Sequence, residues 1–329
     1  MSRMRTGTLM ATLGGLVLAS LCFALLAGSA DLKVTQALAG LIGHAAEEHR
    51  TLILELRLPR AMTALGVGGL LAFAGVLMQA LLRNPLAEPY ILGTSGGAAV
   101  AALSAIMLGM SSLAVDLAAF GGALLATLIV FSIARGTGAW TPTRLLLTGV
   151  VLAAGFSAVT TLLLAMSPDQ HLRGMLFWLM GDLSFAFEPE RILWLLMLLT
   201  LAGVAAAPSL NVLARGATQA AIVGLPVTGF RYGIFVAASL ATAVAVTTVG
   251  VIGFIGLVVP HLVRLAAGSN HRIVLPASVL AGGALLVFAD TLARTLIAPR
   301  QLPVGALTAA IGVPLFLVLM YRSASYRTS

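Results

Sequence analysis

Residues 232–263 contain no Asp, Glu, Lys or Arg over 32 positions. As a helix rising 1.5 Å per residue, that stretch would be about 48 Å long, against roughly 30 Å of bilayer hydrocarbon. One span cannot hold it, and two fit tightly. Gly250, Gly253 and Gly256 offer a turn near the middle. The run is therefore expected to form two short spans, with Arg264 returning to the side that carries Arg231. A single span would invert everything downstream.

The rest of the chain has the same character. Hydrophobic residues make up 60% and charged residues 9%, where soluble domains carry roughly 25% charged. No packing of such a chain could hide its apolar surface from water. Its apolar runs are continuous over about 20 residues, unlike the alternating ten-residue strands of a barrel. The expected fold is an all-α integral membrane protein of about ten transmembrane helices, a single unit over residues 1–329. The other spans are expected near 9–27, 61–82, 91–110, up to 134, 145–166, 192–207, 273–297 and up to 321. The first follows Arg3 and Arg5 and ends in Ala27-Gly28-Ser29-Ala30, small residues that resemble a signal-peptide cleavage site. Its length favours an uncleaved first span. Residues 175–180 are too short to cross and are expected to pack as a surface helix.

In this arrangement both termini lie in the cytoplasm. Eleven basic residues fall inside, among them Arg83, Arg135, Arg144, Arg215, Arg231, Arg264 and Arg272, against eight outside. Of eleven acids only Glu88 falls inside, so the formal +8 is concentrated on the inner face. That is the asymmetry of a membrane protein, and it calls for no nucleic acid. Cys22 is the single cysteine, so no intramolecular disulfide exists.

One stretch between the apolar runs cannot span. In residues 208–231, Leu210, Leu213, Ala217, Ala220 and Ala221 form an apolar stripe on a short helix, with Arg215 and Gln219 on another face. It can rest on lipid headgroups or dock a soluble partner.

Several activities lack their residues. There is no GxxxxGK[ST] phosphate loop, and Lys33, the only lysine, is outside. The one carboxylate within a span, Asp290, sits four residues from Arg294 and can pair with it across one helical turn. Gly93-Thr94-Ser95-Gly96-Gly97 satisfies GxSxG, but no histidine lies at mid-span to serve as base. Small residues at a helix start account for it better than catalysis. No His, Cys or carboxylate cluster has metal-ligand spacing. The chain thus reads as a conduit without an engine; an ion-gradient-driven secondary carrier and an intramembrane hydrolase are the competing classes.

Three long segments add a family resemblance: RNPLAEPYILGTSGGA (83–98), GVIGFIGLVVPHLVR (250–264) and ADTLARTLIAPRQLPVGALTAAIGVPLF (289–316). Together they resemble the permease of FecCD-type ABC importers, which move iron-siderophore, haem or vitamin B12 chelates across the inner membrane. The resemblance implies a type II importer permease fold, ten helices per subunit, in which a second permease subunit (a homodimer) completes a central path. It further implies two cytoplasmic ABC ATPase subunits and a periplasmic or lipid-anchored substrate-binding protein, with membrane lipid around the spans and no cofactor. Residues 208–231 would be the ATPase-coupling loop, with Leu210, Asn211, Leu213, Gly216, Ala220 and Gly224 on the family pattern. Thr218 stands where an acid is frequent. Binding-protein docking falls on Arg57, Arg60 and Arg294, and the cytoplasmic gate on Asn84, Leu86, Pro142 and Thr143. Gln301 replaces the usual acid before LPVG.

Overall fold

The computed structural model describes residues 6–28, 47–136, 141–184 and 189–325. Lys33 and His44 of the expected outer segment, and the terminal Arg3, Arg5 and Arg327, lie outside the described residues. The described chain is helical throughout: α1 (Thr6–Leu26), α2 (Glu47–Leu82), α3 (Thr94–Met107), α4 (Ser112–Arg135), α5 (Pro142–Met166), α6 (Asp169–Met180), α7 (Pro189–Ala205), α8 (Ala207–Arg215), α9 (Ala217–Ile222), α10 (Val227–Val249), α11 (Ile255–Ala267), α12 (His271–Thr295) and α13 (Val304–Ser325). Six of these, α1, α2, α4, α5, α10 and α12, are long and apolar enough to cross a membrane, and α7 with α8 forms a seventh, bent candidate. The shorter apolar helices are α3, α11 and Val304–Val318 of α13. They follow the ten expected positions in order.

The bundle is organised around α2, whose apolar window is 94% buried, against 6% for α5. Its small residues are the cause. An added Cβ at Gly66 or Gly69 would collide with Ile192 or Leu196 of α7, at Gly68 with the backbone of Gly282 in α12, and at Gly75 with the backbone of Gly256 in α11. In lipid, where apolar side chains gain little by leaving the solvent, such close approach is what holds helices together. Helix α5 is the opposite case: only Leu145 and Gly149 are buried in the protomer.

The charge-free run turns where its glycines allow. Helix α10 ends at Val249, the backbone passes through left-handed φ at Gly250 (73°) and Phe254 (70°), and α11 starts at Ile255. Near the start of α10, Arg231 lies within electrostatic reach of Arg83, just past the end of α2. Arg264 of α11 donates to Gln79, one turn before that same end. The two ends of the run are on one side, as two spans require.

Among the non-helical residues 250–254, Gly250 and Ile252 are buried and the other three half-buried, so their backbone polar groups need partners. Tyr90 supplies two: its hydroxyl donates to Ile252 O (3.0 Å) and accepts from Ile252 N–H (3.1 Å). Glu88 Oε1 accepts from Phe254 N–H (3.1 Å), and Val249 O accepts from Asp182 N–H (2.8 Å).

Four boundaries differ from the sequence expectation, each for a local reason. Helix α2 begins at Glu47 and contains a π-helical segment, Leu52–Arg57, in which Leu58 N–H bonds to Ile53 O. Pro59 has no N–H to give Glu55, so the register slips by one residue there rather than breaking. Helix α3 is shorter than its span because Pro89–Leu92 forms a 3₁₀ turn and Gly93 (φ 74°) resets the chain. Helix α7 joins α8 through Ala206 alone, with a 59° bend just before Pro208. Finally, α6 is a surface helix longer than expected, Asp169–Met180, packed on the bundle through the fully buried Met175 and the carbonyl of Trp178, which abuts Gly250.

Candidate functional sites at the two ends of the bundle

At one end of α2 the three arginines of interest come together. Arg60 of α2 grips Asp290 of α12 with both arms of its guanidinium: Nη2 to Oδ1 at 2.8 Å and Nε to Oδ2 at 3.0 Å. Arg294, one turn along α12, holds the same carboxylate at 3.3 Å through Nε. Asp290 is 2% exposed, so one buried negative charge is clamped by two cations. Arg57 is buried as well, and its Nη1 donates to the carbonyls of Leu25 (2.7 Å) and Leu26 (3.0 Å) at the end of α1. Arg294 Nη2 reaches Ala24 O at 3.2 Å. The last carbonyls of α1, which have no partners within their own helix, are thus satisfied by guanidinium groups.

These side chains line a cavity of about 210 Å³, together with Ser184, Pro299 and Gln301. Three arginines and one carboxylate leave the cluster at +2. Gln301 Oε1 accepts from Arg60 Nη1 (3.3 Å) and lies 3.1 Å from the Ser184 hydroxyl, which donates to Asp182 Oδ1 (2.6 Å), so a neutral amide occupies the place where an acid would cancel a further charge. The arrangement leaves positive charge in excess at this end of the bundle. The pairing of Asp290 with Arg294 follows from sequence spacing. The stronger pairing with Arg60, 230 residues away, carries no local signal.

At the opposite end, α8 and α9 form the expected pair of short helices. Gly216 (φ 137°) turns the chain between them and Gly224 (φ 86°) turns it out, conformations in which a side chain would be strained. Leu210, Leu213 and Ala220 are buried, so these motif residues hold the knob to the bundle. The surface offered outward is different: Arg215, Thr218, Gln219, Ile222 and Val223, with Ile222 and Val223 80% and 74% exposed.

Asn211 also faces inward. Its Oδ1 accepts from His271 N–H (2.9 Å) and lies 2.8 Å from His271 Nδ1, while its Nδ2 donates to Asn270 Oδ1 (3.0 Å). Since the amide nitrogen is committed to Asn270, the oxygen must be the atom facing the ring, which places the imidazole proton on Nδ1. Asn270 in turn caps α12 through Arg272 N–H. The role of His271 has no motif to announce it. Next to this clamp, Gln79, Arg215, Arg264 and Ser269 line a cavity of about 600 Å³.

The proposed gate residues lie at this end too. Asn84 Oδ1 accepts from Leu86 N–H in a tight turn, and Leu86 is 40% exposed. Pro142 starts α5 behind Thr141, whose hydroxyl accepts from Arg144 N–H, and Thr143 is exposed. The two elements touch a little deeper, where Gly149 of α5 receives the carbonyl of Ile91. In the GTSGG segment, Gly96 packs on Phe156 and Gly97 on Gly122 and Ala126, so the small residues serve close helix packing.

Comparison with known proteins gives the same picture. The FecCD transport family matches residues 16–322. The vitamin B12 import system permease protein BtuC of Salmonella schwarzengrund is 40% identical over 274 residues, 82% of this chain and 83% of the relative, and the Salmonella typhimurium protein is equally similar. Among solved structures, a protein described as a metal-chelate type ABC transporter, in an inward-facing conformation, superposes with a TM-score of 0.86 at 30% identity, covering 97% of this chain and all of that one. PsaBC from Streptococcus pneumoniae, solved with a Fab, shares the fold at a TM-score of 0.56 and 17% identity. With a family match over nearly its whole length and these relatives behind it, the chain belongs to the FecCD transport family.

Proposed function

We propose that this chain is the membrane-spanning permease subunit of an ATP-driven importer for a metal chelate of the iron-siderophore, haem or cobalamin type. It works in the inner membrane by alternating access, with both termini in the cytoplasm. A second copy completes the path, two cytoplasmic ATPases drive it, and a periplasmic or lipid-anchored binding protein that carries the chelate docks on Arg57, Arg60 and Arg294. The observation that carries the reading is the α8–α9 knob. Its buried face is held by Leu210, Leu213 and Ala220, while Ile222 and Val223 are left bare beside Arg215. Exposed aliphatic groups at the tip of a short helical projection fit an apolar groove on a soluble partner, and the sequence carries no phosphate loop of its own.

ATP closing the ATPase pair would move the knob, and the two permease subunits would rock about the path between them. The test is co-expression with the ATPase of the same system. The two chains should co-purify, and the isolated permease should not hydrolyse nucleotide. Robust hydrolysis by the isolated chain would refute the reading. Ion-gradient-driven uptake in vesicles lacking any ATPase would favour a secondary carrier instead.

A further inference from the structure

Helix α12 is anchored by polar contacts at both of its ends, and each anchor belongs to a different candidate site. At its start, Asn270 and His271 are bound by Asn211 of the coupling helix α8. At its end, Asp290 and Arg294 belong to the arginine cluster with Arg60. The helix between them is continuous, and the 19 residue steps from His271 to Asp290 rise about 28 Å at 1.5 Å per residue. Pro276, in the second turn, removes one backbone donor but does not interrupt the helix.

The middle of α12 is also fixed. Gly68 and Gly282 meet backbone to backbone, and Gly283 packs on the backbone and side chain of Leu65, so α2 and α12 approach closely along this seam. Arg60 then ties the same two helices at the far end. The pair is stiff by construction, because glycine-to-backbone contact leaves no side-chain rotamer to absorb a displacement.

From this geometry we propose that Asn211 and His271 are positioning residues that make α12 the mechanical link between ATPase coupling and binding-protein docking. The proposal rests on the function proposed above. A displacement of α8 is passed through the Asn211–His271 clamp to the start of α12, and it appears at the other end as a change in how Asp290 holds Arg60 and Arg294. Docking affinity for the binding protein then depends on nucleotide state. By linkage the reverse also holds, so that docking biases the knob by the same factor.

The test uses the assembled complex of permease, ATPase and its binding protein in lipid nanodiscs. Docking affinity is measured without nucleotide and with ATP held by a hydrolysis-deficient ATPase, and the ratio of the two constants is the readout. The expected result is that Asn211→Leu moves that ratio at least about fivefold toward one, the lower end of ordinary allosteric coupling. Asn211→Asp, which keeps the acceptor for the His271 N–H and ring but loses the donor to Asn270, should recover part of it. His271→Phe, which loses only the ring contact, should fall between. A role confined to fold stability would weaken docking in both states alike and leave the ratio where it was. Should Asn211→Leu fail to assemble, His271→Phe decides alone. A wild-type ratio in the variants that assemble overturns the proposal, whereas a permease that assembles with no ATPase at all overturns the function on which it rests.

Discussion

The most sharply determined perturbation is Asp290→Asn. Asp290 is 2% exposed and accepts a bidentate pair from Arg60 at 2.8 and 3.0 Å, with Arg294 at 3.3 Å. Hydrogen bonds to charged groups contribute about 1.5–3 kcal/mol each, so the two from Arg60 together amount to roughly 3–6 kcal/mol. Removing one partner of a buried ion pair costs about 3–5 kcal/mol by direct measurement elsewhere, because the remaining charge stays buried without compensation. Here two cations remain, Arg60 and Arg294, with side chains 14% and 11% exposed. The asparagine oxygen can accept from one of them. We therefore expect a loss of about 3–5 kcal/mol, observed as a shift in the unfolding midpoint in mixed detergent micelles titrated with SDS. The double change Arg60→Leu with Asp290→Leu should cost less than Asp290→Asn alone, since it leaves one cation, Arg294, without its carboxylate rather than two. A loss below about 1 kcal/mol for Asp290→Asn would refute the reasoning: it would mean that water reaches the carboxylate and that the cluster behaves as a surface ion pair.

Three other perturbations separate the remaining claims. Gly75→Leu should prevent α11 from seating on α2, since even a Cβ there would collide with the Gly256 backbone; Gly121→Leu, which meets open space, is the control, and yield of monodisperse protein distinguishes them. Glu88→Gln keeps an oxygen for the Phe254 N–H, whereas Glu88→Leu leaves that amide without a partner and should cost about 1–3 kcal/mol; equal stability of the two variants would show that water reaches the amide. Gln301→Glu should tighten the arginine cluster while reducing its charge from +2 to +1, raising thermal stability and weakening the salt-dependent docking of an acidic binding protein; unchanged docking would place the contact elsewhere.

Orientation can be checked independently. Cysteines at positions 231 and 272, in a Cys22→Ala background, should both resist an impermeant thiol reagent in intact cells. Labelling of position 272 alone would contradict the turn at Gly250.

What the sequence reveals here follows from how local each cause is. The turn at Gly250 is legible because it depends on a length, 32 uncharged residues, that exceeds what one span can bury. The central place of α2 is legible in its glycines, which have little use in a helix facing lipid. The knob is legible as an amphipathic break between spans, although its outward face, Ile222 and Val223, is not what the motif emphasises. The π-segment at Leu52–Arg57 has its cause in Pro59, but the aim it gives Arg57, toward the carbonyls of Leu25 and Leu26, depends on a helix 31 and 32 residues earlier. The Arg60–Asp290 clamp and the Asn211–His271 clamp join residues 230 and 60 positions apart, and no periodicity within one helix encodes either.

The unwound residues 250–254 also bear on the order in which the chain is assembled. Their backbone is satisfied by Tyr90, 162 residues earlier, and by Glu88, 166 residues earlier. During synthesis from the N-terminus, the phenol and the carboxyl are already in the membrane when Gly250 emerges. The reverse order would strand two amides and a carbonyl in hydrocarbon, at a cost of several kcal/mol for each group. The early segment Arg83–Leu92 therefore serves as a template on which the later break in the helix is laid down. A chain whose C-terminal half was made first, by circular permutation for example, would have to cross the membrane with that template missing.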